Sequence, residues 1–398
     1  MNILFLSFWL PLPADNGSKL RISNLLRGLA EQHRVTLIAL ADPLPDALDA
    51  ELTELCADVR VLPRRAYRPG SLRALVGLFS ATPRSLIDTY DPAVVAEIRR
   101  LMAAQRFDVA VVSELGMSLY VWALGDIPVL LDDLEIGISR SLVAVAQPGW
   151  RRLRQQFPWL KLKFYLRRLL PRLRAVTVVS SQERALLAEI APAYAAVTVI
   201  PNGVDTERIR PNPAITPQPH RLIFTGSLRY HANHDAMIWF LSQVYPLIRR
   251  RLPDVELVIT GDHANLPLPV IEGVTLTGHV PDVRPLVQSA AVSLVPLRIG
   301  GGTRLKILEA LALGTPVVST CLGAEGLAVQ ADEHLLLADP PARYAEAVIR
   351  LLENPSLRAR LSAQGRRLVA ERYDWRVIRP DWLALVAQVA GLPLEVPA

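Results

Sequence analysis

The sequence predicts an α/β protein with two doubly wound domains. The chain has 398 residues, which is enough for two hydrophobic cores of about 200 residues each. Short apolar segments alternate with helical patterns along both halves, as they do where helices connect parallel strands. Between the halves, Pro211, Pro213, Pro217 and Pro219 interrupt the alternation. A proline-dense segment of this kind indicates a domain linker.

The first half opens with an apolar segment at 3–8, the pattern of a strand that is buried on both faces. Asn16 and Gly17 mark a turn after this strand, and a helix is predicted at 19–32. Further strands are predicted at 35–40, 59–62, 109–112, 129–131, 176–179 and 197–200. These elements predict a first domain at 1–204.

The second half repeats this organisation. Its strands are predicted at 222–224, 255–260, 274–277, 292–295 and 316–319. Its helices are predicted at 235–251, 282–289, 303–313, 341–352 and 355–372. We therefore predict a linker at 205–220, a second domain at 221–374, and a last helix within 375–398 that packs back on the first domain.

The composition excludes several classes of protein. Hydrophobic residues make up 51% of the chain and charged residues 21%, which excludes a disordered tail or a coiled coil. Two cysteines are too few for a disulfide framework, and the seven histidines lack the spacing of a metal site. The apolar N-terminus has no basic segment before it, and no uncharged apolar stretch reaches the roughly 18 residues of a spanning helix. We therefore expect a cytoplasmic protein without a bound metal.

A cationic glycine loop lies between a strand and a helix of the second half. Three glycines, Gly300–Gly302, precede Thr303, Arg304 and Lys306, and no acid follows before Glu309. Helix N-termini favour negative charge because their backbone N–H groups are unpaired. Two cations in a first turn are therefore unfavourable unless an anion binds there. The stretch predicts an anion site at the carboxyl end of a strand.

A structural interpretation of the same helix stays open. Leu305, Leu308 and Leu311 share one arc of the helix, as in a helix that packs on a sheet. Lys306 and Glu309 lie opposite, where a solvated pair at this spacing contributes about 0.2–0.5 kcal/mol. The loop is neither a Walker A motif nor GxGxxG, so neither a P-loop nucleotidase nor a plain dinucleotide fold is predicted.

Several segments resemble, in order, those of retaining glycosyltransferases of family 4. The family's nucleotide-sugar signature resembles PLRIGGGTRLKILEALALGTPVVST (296–320). The start of its C-terminal domain resembles RLIFTGSLRYHANHDAMIWF (221–240), and its base-binding region resembles VTLTGHVPDVRPLVQSAAVSLVPLRIG (274–300). Its first strand, glycine loop and helix resemble FLSFWLPLPADNGSKLRISNLLRGLAEQHRVTLIAL (5–40). The resemblance implies the GT-B fold, in which two Rossmann-like domains face a central cleft.

The resemblance also implies transfer of a sugar from a nucleoside-diphosphate sugar to an acceptor, with retention of anomeric configuration and no cofactor or obligatory metal. The family's ribose-binding Glu matches Glu309, and its diphosphate-binding cations match Arg304 and Lys306. These three are the predicted catalytic residues. The predicted substrate-binding residues are Asn16, Gly17, Gly226, Ser227, Arg229, Gly278, His279, Val280, Gly301, Gly302, Thr303 and Leu305.

Two positions depart from the family pattern. The family's signature has a second Glu, which would fall at Gly301 in this sequence. Many members carry an Arg and a Lys after the first strand of the C-terminal domain, where this chain offers only Arg229 as a stand-in. Two alternatives therefore remain, a non-catalytic relative that binds a nucleotide or a partner, and a sugar-nucleotide epimerase on the same fold.

Acidic residues follow two predicted strands of the first half. They are Glu114, and the group Asp132, Asp133 and Glu135. Two interpretations remain for them. Either the carboxylates face the cleft, or the group forms the N-cap and first turn of a helix.

The positive charge is concentrated in one segment. The net charge is +6, and residues 136–182 hold ten Arg or Lys and no acid. Within it, a helix is predicted at 159–170. Its apolar side holds Trp159, Leu162, Tyr165, Leu166, Leu169 and Leu170, and its basic side holds Lys161, Lys163, Arg167 and Arg168.

Two interpretations of this segment remain. Either 151–174 contacts an anionic membrane, or the helix packs on the sheet with a solvated basic face. The first alternative predicts a peripheral protein at the inner face of the cell membrane, acting on a lipid-linked or polysaccharide acceptor. No signature predicts a nucleic-acid partner.

Overall fold

The computed structural model describes residues 1–145, 149–263, 265–300 and 303–392. The chain forms two compact units. The first comprises Met1–Pro201 and the chain from Arg379, and the second comprises Asn202–Ile378. The first division thus lies three residues before the predicted boundary at 204, and the second lies within the last helix.

The sheet of the first unit has seven parallel strands in the described residues, in the order β3-β2-β1-β4-β5-β6-β7. The strands are β1 (Asn2–Ser7), β2 (Arg34–Ala41), β3 (Asp58–Pro63), β4 (Val109–Ser113), β5 (Val129–Asp132), β6 (Ala175–Val178) and β7 (Val197–Val199). Ile3 pairs with Val35 on one side and with Val109 on the other. This central position explains the unbroken apolar sequence of β1, because both of its faces are buried.

Helices cover both faces of this sheet. They are α1 (Gly17–Ala30), α2 (Ala50–Leu55), α3 (Leu72–Val76), α4 (Arg84–Thr89), α5 (Pro92–Ala104), α6 (Gly137–Val145), α7 (Trp150–Leu169) and α8 (Ser181–Ile190). A single 3₁₀ turn, Gly77–Phe79, follows α3. Helix α1 begins two residues before the predicted start, because the Asn16 side chain accepts a hydrogen bond from the backbone N–H of Lys19 at 3.0 Å.

The sheet of the second unit has six parallel strands in the part of the chain that the structure describes, in the order β10-β9-β8-β11-β12-β13. The strands are β8 (Gln218–Thr225), β9 (Glu256–Thr260), β10 (Val274–Gly278), β11 (Ala290–Val295), β12 (Val317–Ser319) and β13 (Leu336–Leu337). The helices are α9 (His231–Trp239), α10 (Tyr245–Arg251), α11 (Arg284–Ser289), α12 (Leu305–Ala312), α13 (Pro341–Glu353) and α14 (Pro355–Arg372). A last helix, α15 (Trp375–Val389), begins in this unit, and its residues from Arg379 belong to the first unit. The predicted fold of two doubly wound α/β units is therefore confirmed.

The proline-rich segment is packed against the second unit instead of forming a separate linker. The Asn212 backbone N–H donates to the Gln288 side chain at 2.8 Å, and the Gln288 amide donates back to the Asn212 carbonyl at 2.6 Å. Arg284 donates to the Arg208 carbonyl at 3.0 Å. These side chains satisfy backbone groups that a free linker would leave to water. The predicted linker at 205–220 is corrected accordingly, and β8 begins within it.

Helix α7 packs on the first unit through its predicted apolar side. Leu162, Tyr165, Leu166 and Leu169 of the predicted apolar side are buried in the core of the first unit. Lys161, predicted on the solvated basic side, is buried as well. The alternative of a helix packed on the sheet therefore holds for this apolar side. No helix among the described residues is long and apolar enough to cross a membrane.

The strand order determines where each unit can bind a ligand. In a doubly wound sheet the crevice for ligands opens at the carboxyl ends of the two strands where the chain reverses its direction of winding. In the first unit these strands are β1 and β4, and in the second unit they are β8 and β11. Glu114 follows β4 directly, and the glycine loop that leads into α12 follows β11.

Candidate functional site

The turn after β8 requires glycine. Gly226 has φ +129°, a conformation that favours glycine. A Cβ atom at this position would lie 2.8 Å from the Asn233 side-chain nitrogen and 3.1 Å from the Lys306 Nζ. The absence of a side chain therefore lets the backbone of the turn lie directly against these two polar groups.

Asn233, in the first turn of α9, connects this turn to Lys306. Its Nδ2 donates to the Ser227 carbonyl at 2.8 Å, and its Oδ1 accepts a hydrogen bond from the Lys306 Nζ at 3.0 Å. Sequence reasoning missed this residue because it placed the start of the helix at 235, four residues after its true start at His231. A short polar side chain just beyond a glycine turn was the available signal.

Lys306 lies where an ammonium group is poorly solvated. Its Nζ sits 4.2 Å from the centre of the Phe224 ring, which contributes a cation–π contact. Burial and, to a lesser extent, the positive charge of Arg304 lower the pKa of Lys306 to about 7, and Glu309 opposes this shift. An anion bound at this position would raise the pKa again, because it would stabilise the charged form.

Arg304 and Thr303 lead into α12. Arg304 is the N-cap residue and is buried, and a Cβ atom on Gly300 would lie 2.8 Å from its Nη2. The Thr303 hydroxyl accepts a hydrogen bond from the Asn202 side chain at 2.8 Å. Leu305 is the first residue of the helix. The predicted site residues Gly301 and Gly302 lie outside the described residues.

Glu309 is three residues beyond Lys306 on α12 and is partly buried. Burial raises the pKa of the Glu309 carboxyl, and the Lys306 charge opposes this effect. Lys306 directs its hydrogen bond to Asn233, so it is not the solvated partner of Glu309 that the structural interpretation described. The helix thus places the Lys306 ammonium against the Gly226 turn and a carboxyl three residues further along the helix.

The predicted residue Arg229 and the nearby Arg298 are paired with acids. Arg229 is exposed and forms an ion pair with Asp262, which follows β9. Arg298 forms two hydrogen bonds with Asp235, at 2.7 and 3.1 Å. His279 is exposed. The structure places Gly278, His279 and Val280 at the carboxyl end of β10, two strands from β8.

The corresponding edge of the first unit carries acids. Glu114 has φ +69°, an uncommon conformation for a residue with a side chain, and accepts a hydrogen bond from the Trp9 Nε1 at 2.9 Å. Burial, with Asp133 nearby, raises the pKa of Glu114 to about 7. Burial also raises the pKa of Asp133 to about 6. Asn16 and Gly17 lie at the N-terminus of α1, and both are exposed.

A buried ion pair supports this edge. The Arg21 guanidinium donates to both carboxylate oxygens of Asp132, at 2.7 and 3.1 Å, and to the Ile200 carbonyl at 2.9 Å. Asp132 is therefore not a helix cap, because the first amides of α6 donate to Glu183 at 2.9 and 3.0 Å. Sequence reasoning missed Arg21, which resembles an ordinary surface residue of an amphipathic helix.

The fold and this geometry define a class of protein. A lysine lies against a glycine turn at the switch point of a doubly wound sheet, the place where α/β proteins of this topology bind their ligands. Residues 16–208 match the family model described as Glycosyltransferase Family 4, and residues 219–354 match the model described as Glycosyl transferases group 1. The chain belongs to the GT-B glycosyltransferases of the family 4 type.

Relatives and solved structures agree with this placement. A phosphatidyl-myo-inositol mannosyltransferase of Mycobacterium tuberculosis is 32% identical over 213 residues, which cover 50% of this chain and 55% of that protein. The match thus spans about half the length of this relative. The sucrose-phosphate synthase of Thermosynechococcus elongatus has a TM-score of 0.74 at 18% identity, covering 98% of this chain and 100% of that one. Anabaena HepE in complex with UDP-glucose has a TM-score of 0.66 at 14% identity, with the same coverage. At these identities, the two structures show the fold alone.

Proposed function

We propose that this chain transfers a sugar from a nucleoside-diphosphate sugar to an acceptor hydroxyl and retains the anomeric configuration. The observation that carries the proposal is Lys306, a poorly solvated ammonium held by Asn233 against the Gly226 turn. A diphosphate supplies the negative charge that this position lacks. A carboxyl that can accept ribose hydroxyls, Glu309, follows three residues later on the same helix.

The chemistry fits these side chains. In the transfer step the bond between the sugar C1 and the diphosphate oxygen breaks, and its electron pair stays on the leaving diphosphate. The acceptor oxygen forms the new bond to C1, and its proton passes to an oxygen of the leaving diphosphate. We propose that Lys306 and Arg304 stabilise the negative charge that develops on the leaving group. Retention is proposed from membership in the family 4 type, and we propose that the step needs no metal or cofactor.

The acceptor is proposed to be a glycan or a lipid-linked sugar at the inner face of the cell membrane. The name of the mycobacterial relative refers to transfer onto phosphatidylinositol, which supports a lipid-linked acceptor for this chain. The HepE complex holds UDP-glucose, which supports a nucleotide sugar as the donor.

The test is a panel of nucleotide sugars incubated with the protein and a membrane extract, with products identified by mass spectrometry and their anomeric configuration by NMR. Glu309→Gln and Lys306→Met are expected to reduce turnover at least about 100-fold. Glu325→Gln, a change at an exposed acid, is the matched control and should retain full turnover. A chelator should leave turnover unchanged.

Three outcomes would contradict the proposal. Wild-type turnover in both site variants would exclude this donor site. A product formed from the nucleotide sugar without any acceptor would indicate an epimerase. Absence of transfer, hydrolysis and nucleotide affinity would indicate a non-catalytic relative.

A further inference from the structure

Helix α3 and the turn after it expose a stripe of apolar side chains. Leu72, Leu75, Val76 and Phe79 recur at the spacing of one helix face. Leu72 is 78% exposed and Phe79 is 94% exposed. Large apolar side chains that are exposed together mark an interaction surface more often than chance exposure does.

Helix α7 exposes a second apolar stripe. Phe157, Leu160 and Phe164 are 50, 55 and 50% exposed, and their spacing places them on one face of the helix. This face differs from the apolar side predicted from the sequence, which is buried in the core. The helix therefore has an inner apolar face that packs on the unit and an outer apolar face that does not.

Lys161 joins the two stripes. Its Nζ donates to the Gly77 carbonyl at 2.8 Å and to the Leu78 carbonyl at 2.6 Å, within the turn that follows α3. The same ammonium lies 4.7 Å from the centre of the Phe157 ring. This buried cation therefore brings α7 and the turn after α3 together. We use the term docking surface for the seven exposed side chains of these two elements, Leu72, Leu75, Val76, Phe79, Phe157, Leu160 and Phe164.

The segments that carry the docking surface are strongly basic. Residues 59–87 hold six arginines and no acid, and residues 136–182 hold ten Arg or Lys and no acid. Some of these cations are paired with acids from neighbouring elements, as Arg65 is with Asp91 and Arg140 with Glu189. Arg73, Arg154 and Arg168 are exposed. The apolar surface is therefore set in a positive field.

These features discriminate between occupants. A second copy of the chain would bring a like positive field against the surface, and this repulsion opposes self-association. A nucleic acid would match the charge but not the exposed phenyl and leucyl side chains. An anionic bilayer matches both, because apolar side chains enter the boundary between headgroups and acyl chains while cations bind the headgroups.

We propose that the docking surface binds the protein to anionic membranes by inserting Leu72 and Phe79 from one element and Phe157, Leu160 and Phe164 from the other. Arg73, Arg154 and Arg168 then contact lipid phosphates. The proposal extends the proposed location of the acceptor but does not depend on the donor site, which belongs to the other unit.

The test is sedimentation of the full chain with vesicles of phosphatidylcholine, alone or mixed with phosphatidylglycerol, at low and high salt. Wild-type protein should bind the mixed vesicles and release at high salt. The double variant Phe79→Ser/Phe164→Ser should bind at least about tenfold more weakly. Arg73→Gln/Arg168→Gln should weaken binding and reduce its salt dependence. Val270→Ser, at a fully exposed position of the second unit, is the matched control and should bind as the wild type does.

Thermal unfolding and nucleotide affinity are measured on the same samples. Both should be unchanged in the double variants, because the altered side chains are exposed. Vesicle binding by Phe79→Ser/Phe164→Ser at the wild-type level would overturn the proposal. So would a wild-type chain that ignores vesicles and instead forms dimers, or binds RNA, through this surface.

Discussion

Each unit carries a cation near the carboxyl edge of its sheet, and the two cations are satisfied differently. Arg21 of the first unit meets a buried carboxylate, Asp132, through two hydrogen bonds and meets a backbone carbonyl through another. Lys306 of the second unit meets a neutral amide and an aromatic ring, with Arg304 as a like charge nearby. The first cation is neutralised by a carboxylate of the protein, whereas the second directs its hydrogen bond to a neutral group.

Burial disfavours the charged form at both edges, and in the second unit it also raises the pKa of the Glu309 carboxyl. In the first unit, burial and neighbouring acids raise the pKa of Glu114 to about 7 and the pKa of Asp133 to about 6. In the second unit, burial lowers the pKa of Lys306 to about 7. The same strand order thus supports an edge that retains protons on acids and an edge that loses them from a base. The side chains that follow the strands determine which ligand an edge favours.

The largest effect is expected from Asp132→Asn. This change leaves the Arg21 guanidinium buried without its counter-charge, which should lower the free energy of unfolding by about 3–5 kcal/mol. Urea unfolding of the full chain measures it. Asp133→Asn is the matched control. Burial disfavours the charged form of Asp133 and raises its pKa, so a neutral amide at this position removes the cost of burying that charge. An equal loss of unfolding free energy in both variants would mean that the Arg21–Asp132 ion pair does not cause the destabilisation.

Lys306→Met should weaken ligand binding without destabilising the fold. Affinity for the nucleotide sugar should fall about 100-fold, because the ligand phosphates lose a poorly solvated cation. Stability should stay the same or rise, because methionine fills the space against Phe224 without a buried charge. Calorimetry and urea unfolding on the same variant measure both quantities. A loss of stability as large as that of Asp132→Asn would make Lys306 a structural cation like Arg21.

The parts of the molecule that sequence predicted are those governed by local patterns. Apolar segments such as 3–8 identified strands because parallel strands are buried on both faces. Arg21 and Asp132 could not be paired from sequence, because they lie 111 residues apart. Lys161 was placed in solvent for the same reason, since its carbonyl partners belong to a turn 83 and 84 residues away. Lys306 was predicted from the charge of its loop. Asn233, which accepts its hydrogen bond, was missed because the sequence analysis placed the start of α9 too late in the chain.

The pH dependence of donor binding tests the state of Lys306. The free protein loses the Lys306 proton as pH rises through about 7, whereas the bound phosphates favour the protonated form. Affinity should therefore be constant below this pH and fall up to about tenfold per pH unit above it. Calorimetry with a nucleotide sugar measures this, and buffers of different ionisation enthalpy report the proton taken up. Lys306→Arg should bind without this dependence, and a wild-type affinity that stays constant to pH 9 would contradict the assignment.

The smallest effect concerns Glu114 and runs in the opposite direction along the pH axis. Its pKa is raised from 4.5 to about 7 in the folded protein, so the folded state binds more protons than the unfolded state between these values. Stability from this group is therefore lost as pH rises through that window. Glu114→Gln removes the loss and should stabilise the chain by about 1 kcal/mol at pH 8, after allowance for partial exposure, and by much less at pH 5.

Lys306 contributes with the opposite sign, because its lowered pKa makes stability rise from about pH 7 towards the ordinary lysine value of 10.5. Urea unfolding of Glu114→Gln and Lys306→Met across pH 5–9 should therefore give differences from the wild type that slope in opposite directions. Parallel slopes would show that the two edges are electrostatically alike.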